Sequence, residues 1–191
     1  MLRVGRSVVT ADAPPVPREP ARRCFMAWET ELGADLPRRA YESAYAYERD
    51  YGCCPQCVLG ALKDVLGVGD DAVFKAAHVL SGGGAVTVTG TCGALAGALL
   101  AVGTRYGRSR EDFAAGPFME SFKQGKRVID AFVQEFGSTL CADVQTRLMG
   151  RSFDLWDARD FAAFENAGGH TDKCTHVAGT AARIAAEILS E

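Results

Sequence analysis

From about residue 36 onward, apolar residues recur at intervals of three and four, the period of helices that bury one face. The first such segment follows Pro37, carries Tyr41, Tyr45 and Tyr47 on roughly one face, and ends at Gly52. A second runs from Pro55 to Leu66, with Val58, Leu59, Leu62 and Val65 apolar. A third spans about Asp70 to Leu80 and stops at Gly82-Gly83-Gly84, and a fourth runs from about Cys92 to Tyr106. Next comes a segment from Glu111 to Phe136, where Gly116-Pro117 predicts a break. Shorter helices are predicted over Ser138 to Met149, Leu155 to Asn166 and Cys174 to Leu189. Only Ala85 to Thr89 (AVTVT) has strand-like composition, too short to make a sheet alone. The pattern predicts an all-α protein, a multi-helix bundle with irregular loops.

Residues before this region lack either period. Four of the seven prolines fall between Pro14 and Pro20, a composition that favours an extended, solvated arm. The short apolar patch Cys24-Phe25-Met26-Ala27-Trp28 could dock that arm on the body or on a second subunit, so a homodimer is expected. The chain divides into an N-terminal Pro-rich arm, residues 1–35, and a helical domain, residues 36–191.

The 191 residues suffice for a hydrophobic core that needs no disulfide staples. A net charge of −3 argues against nucleic acid and anionic membrane surfaces as partners. The start of the chain lacks the apolar stretch of a secretory leader, and the longest small-apolar run, Ala94 to Gly103, is about half a bilayer crossing. These features predict a cytoplasmic protein. Seven cysteines in a reducing compartment point to metal, cluster or redox chemistry rather than structural disulfides.

The placement of the cysteines sharpens this. Cys54 precedes Pro55, which is favoured at the first position of a helix. Cys92 follows Thr91, a candidate cap for the fourth helix. Cys141 lies three residues after Ser138, and Cys174 lies just after Thr171 and Asp172. Four cysteines from four distant segments thus map to helix beginnings. Free N–H groups and partial positive charge there favour a thiolate, and favour an anionic centre such as an iron–sulfur cluster. Each alone could be a small buried hydrophobe; four together argue for a site. Gly93 and Gly97, four apart, make one smooth face for close approach of a backbone or a cofactor.

The stretches GCCPQCVLGAL, LSGGG, TCGALAGALLAVGTRYG, GSTLCADV and KCTHVAGTAARIAAEIL, in that order, resemble the C_GCAxxG_C_C family. Its hallmark CGAxxG is here Cys92 to Gly97, and the resemblance covers roughly residues 40–190. It implies a mostly helical redox domain with a four-cysteine site at Cys54, Cys92, Cys141 and Cys174. A related helical region occurs in split-Soret cytochromes. This chain has no CxxCH, so c-type haem is not expected, and it carries the additional Cys24, Cys53 and Cys57.

Three chemistries compete. In the first, those four cysteines hold a 2Fe–2S or 4Fe–4S cluster, with Gly93 and Gly97 beside it, for electron transfer to a redox partner protein. In the second, Cys54-Pro55-Gln56-Cys57 is a thiol–disulfide pair at a helix start. In the third, the four thiolates hold structural zinc. Cys57 and His176 are the secondary metal-ligand candidates: Cys57 is one helical turn from Cys54, and His176 lies two residues after Cys174. His170 reads as a loop residue and His78 as an unremarkable helical one. No serine or cysteine triad is evident.

Overall fold

In the computed structural model, residues 21–191 are described, with side chains from Asp35 onward. The Pro-rich stretch and the side chains of Cys24, Phe25 and Trp28 lie outside the described residues. Eight α-helices follow in order: α1 Ala21–Tyr51, α2 Cys54–Leu66, α3 Asp71–Ala77, α4 Gly93–Tyr106, α5 Met119–Phe136, α6 Cys141–Met149, α7 Ala158–Asn166 and α8 Cys174–Leu189. A 3-10 segment, His78–Gly83, follows α3, a shorter one spans Phe113–Ala115, and a π-turn, Gly169–Lys173, leads into α8. The fold is all-α, with no strand among the described residues. The first helix starts at Ala21, earlier than the periodicity predicts, and takes Pro37 into its interior. No helix among the described residues is long and apolar enough to cross a membrane.

Helix α8 is the centre of the bundle. It packs along α1 and against α2, α4 and α5. Its buried residues are mostly small, including Ala178, Ala181, Ala182, Ala185 and Ala186, which lets its neighbours come close. From α1, Ala40 and Ala44 are fully buried; from α2, Val58, Leu59, Ala61 and Leu62; from α4, Ala94, Leu95, Ala98 and Ala101; from α5, Val128, Phe132 and Phe136. Each large side chain removed from water here contributes about 1.5–3 kcal/mol relative to exposure.

Two features, one of them a departure from the sequence pattern, shape the site. The AVTVT stretch is not a strand: Ala85, Val86 and Val88 all have positive φ, at 46°, 51° and 64°. Its N–H groups turn back on the preceding loop, Val86 to the Ser81 carbonyl and Val88 to the Gly82 carbonyl, so no strand edge is left to pair. Left-handed conformations in β-branched residues are strained and hold only where the surroundings impose them. Trp156 donates its indole N–H to the Ala85 carbonyl at 3.0 Å and ties this loop to the segment before α7.

Of the two occupants expected for the Gly93–Gly97 face, a backbone or a cofactor, the structure shows a backbone. A Cβ on Gly97 would lie 2.6 Å from the Pro55 carbonyl oxygen, and one on Gly93 would lie 2.5 Å from the Cys54 sulfur. Helix α4 therefore crosses the first turn of α2 at a distance only glycine permits. Gly103, in the same helix, faces open space. Gly97→Ala is expected to lower unfolding free energy by about 2 kcal/mol, because overpacking outweighs the gain in helix propensity. Gly103→Ala is expected to raise it by about 0.5–1 kcal/mol. Urea denaturation of the two variants measures both.

Candidate functional site

Each of the four helix-start cysteines is positioned by a different local device. At α2 the chain leaves α1 through Gly52 and Cys53, both with φ 66°, so Cys53 is the left-handed cap and Cys54 the first helical residue. The Gln56 and Cys57 N–H groups close the turn onto the Cys53 carbonyl. At α4, Cys92 itself occupies the cap position in place of Thr91; its side chain makes no cap hydrogen bond, and the nearby N–H groups of Ala94 and Leu95 favour its thiolate electrostatically. A short antiparallel bridge then sets Cys141 beside it: the Cys92 N–H donates to the Thr139 carbonyl at 2.8 Å and the Cys141 N–H to the Gly90 carbonyl at 3.0 Å. Cys141 begins α6 and accepts from the Gln145 amide at 3.7 Å; that amide's oxygen is held by the Phe153 N–H at 3.0 Å. Cys174 begins α8, but the π-turn before it already pairs its N–H with the Gly169 carbonyl. Its own N–H is therefore not one of the free amides that its position in the sequence suggests.

All four line one cavity of about 290 Å³. Cys53, Glu48 and His170 also face it, and Val86, Leu155, Phe161 and Phe164 supply apolar wall. The secondary candidates are elsewhere. Cys57 donates to the Gly52 carbonyl at 2.8 Å and lines a separate, more open cleft with Tyr47, Tyr51 and Phe74. Cys54 and Cys57 therefore face different cavities. His176 is exposed and meets the Tyr41 hydroxyl at 3.0 Å, away from the thiols. The histidine at the site is His170.

The electrostatics reverse the expectation of low thiol pKa values. Burial pushes Cys92 up to about 11 despite the Ala94 and Leu95 N–H groups. Burial and then the neighbouring Cys92 push Cys141 up to about 12. Cys54 and Cys174 are raised well above the usual thiol range, first by burial and then by Glu48 and the other thiols. Desolvation outweighs the helix N-termini, and one thiolate in the cavity disfavours the next. Without a cation the site holds neutral thiols.

Glu48 is the residue that helix-start logic misses. Its side chain is 2 % exposed, and its Oε2 has no hydrogen-bond partner. Burial raises its pKa to about 7, against the opposing pull of Cys57 and His170. The signal was present as Ala40, Ala44 and Glu48, spaced by four on the buried face of α1, while the tyrosines that marked a face remain partly exposed.

The donor set suits a soft, positively charged group: four thiols around one cavity and a bare carboxyl oxygen. Such a group would displace the thiol protons and compensate their charge. Among the described residues, no three His, Cys, Asp or Glu side chains already converge as ligands of a single ion. The family model named "Putative redox-active protein (C_GCAxxG_C_C)" matches residues 52–188, which include all four cysteines. The chain belongs to this family. No curated protein and no solved structure matches it. The C_GCAxxG_C_C hallmark thus has a structural meaning here: its cysteine caps α4, and its two glycines admit the first turn of α2.

Glu48 makes the metal-free protein pH-sensitive. Its folded pKa lies above the unfolded value of 4.5, so its neutral form's stabilisation is complete below pH 4.5 and is lost as pH rises to about 7. The loss is about 3 kcal/mol. Urea denaturation of the metal-free protein from pH 4.5 to 8 is expected to show this decline, and Glu48→Gln to reduce it.

Proposed function

We propose that Cys54, Cys92, Cys141 and Cys174 hold an iron–sulfur cluster and that the protein carries electrons to and from a redox partner protein. The observation that carries this reading is the arrival of four thiols, from the starts of four helices, on one buried cavity. Bound there, the cluster would supply reversible one-electron chemistry. The protein's part is to exclude water and supply four sulfurs. The N–H groups of Ala94 and Leu95 at Cys92, and of Gly82 at Cys54, favour negative charge on sulfur. The apolar walls keep those interactions strong.

Among the described residues no three candidate ligands converge on a single point, which favours a cluster over zinc. A mononuclear zinc site brings its sulfurs to about 2.3 Å from one point. A cluster takes its thiolates on different irons, so the sulfurs stand around a volume rather than a point. The thiol–disulfide reading is weakened by Cys57, which turns to the Gly52 carbonyl and the other cleft, and by burial, which raises the pKa of both Cys54 and Cys57.

Protein purified without oxygen is expected to show broad visible absorption with matching iron and acid-labile sulfide. Cys92→Ser is expected to lose most of both while keeping its helical circular dichroism. Protein that holds neither iron nor sulfide after reconstitution would rule the cluster out, and zinc retained in their place would favour the structural site.

A further inference from the structure

We propose that Glu165, His170 and Glu48 form a proton path into the cysteine cavity, so that electron uptake at the site is accompanied by proton uptake at Glu48. This rests on the reading of the four cysteines as a redox centre and extends it to residues that reading leaves unused.

The three side chains are graded from solvent inward. Glu165 is 36 % exposed, His170 30 % and Glu48 2 %. His170 Nδ1 lies 2.5 Å from a Glu165 carboxylate oxygen, and its Nε2 lies 3.8 Å from Glu48 Oε1. A neutral ring that donates from Nδ1 to Glu165 presents its lone pair at Nε2, towards Glu48. The remaining gap is spanned by one water or a small rotation of the carboxyl. Phe164 packs edge-on against the ring at 5.2 Å and steadies it. The π-turn that carries His170 runs directly into Cys174, and π-segments occur often at functional sites.

The inner end of the path is unusual. Glu48 Oε2 is buried, unpartnered and in a residue that lines the cavity. An unsatisfied buried carboxyl is costly, so its presence calls for a role. The titratable groups around it are Cys53, Cys54 and Cys57 at the start of α2, Cys92 at α4, Cys174 at α8, and His170 on the π-turn. None of these cysteines offers positive charge. An electron added to a centre in this cavity increases the negative charge facing Glu48 and favours its protonated form. The step balances with a one-electron donor such as reduced methyl viologen. The donor is oxidised, the centre gains one electron, and one proton from water, relayed through Glu165 and His170, forms the O–H bond of Glu48. No other bond is made or broken.

The test is the reduction potential of the iron-loaded protein between about pH 6 and 9, together with stopped-flow reduction by reduced methyl viologen. Wild type is expected to show, within this range, a segment in which the potential falls by about 59 mV for each tenfold drop in proton concentration. Glu48→Gln is expected to flatten it. Glu165→Gln, at a partly exposed position, is expected to keep the slope but slow the linked proton uptake about tenfold, read with a pH-indicator dye. His170→Phe is expected to slow it likewise, which keeps the proposal testable should Glu48→Gln not fold. A centre whose potential is flat in wild type, or whose slope survives Glu48→Gln, overturns the proton path and leaves the centre standing. Uptake unchanged in both Glu165→Gln and His170→Phe overturns the route. Protein in which no centre forms overturns the path and the cluster reading together.

Discussion

The contact between the glycine face of α4 and the first turn of α2 sets the rest of the site. With Gly97 against the Pro55 backbone and Gly93 against Cys54, the two helix starts are fixed at a separation that no side chain would allow. Cys92, the cap of α4, is thereby held in the same cavity wall as Cys54. The backbone bridge from Gly90–Cys92 to Thr139–Cys141 then carries a third thiol into place, and the Gln145 amide meets its sulfur. Helix α8, lying across α1, α2 and α4, brings the fourth. The core that anchors this geometry is built largely from alanine and other small residues, so the helices approach closely and the cysteine positions follow from backbone packing.

That arrangement concentrates costs in one place. Cys53 adopts a left-handed backbone as a non-glycine residue, as do Ala85, Val86 and Val88, of which Val86 lines the same cavity. Each such residue costs roughly 1–3 kcal/mol. Burial holds four thiols neutral and leaves a carboxyl oxygen unpaired. Among the described residues, the remaining instances outside this cavity's lining include the left-handed Phe118 and the unpartnered Thr175 hydroxyl, the latter beside Cys174. Strain and unsatisfied polarity gathered on one cavity are the signature of a site maintained for chemistry.

Much of the fold was legible because helix periods and punctuation agree in this chain. Pro55, Gly107 and Gly137 mark helix ends that the structure keeps. The helix-start placement of Cys54, Cys92, Cys141 and Cys174 was legible too, because it depends on local signals. What failed depends on tertiary surroundings. AVTVT has strand composition, but the glycines before it fold its N–H groups back onto their own loop. The helix-dipole argument for low thiol pKa values was correct in sign for Cys92 and was outweighed by desolvation, which sequence does not display. His176 lies nearer Cys174 in sequence than His170 does, yet a helix sends residues two apart to different faces, while the π-turn brings His170 back over the cavity. Glu48 could be read only by trusting the alanine spacing on α1 over its charge.

Cys174 is the last of the four thiols to be synthesised, and α8 is the helix on which α1, α2, α4 and α5 all close. During translation the earlier three cysteines therefore emerge into a bundle that lacks its central element. The nascent chain exposes Cys54, Cys92 and Cys141 until α8 leaves the ribosome, since domains fold as their chains become available. Any group bound at this cavity must be delivered to an incomplete bundle or inserted after α8 has docked. The order of assembly is thus written into the position of a single helix.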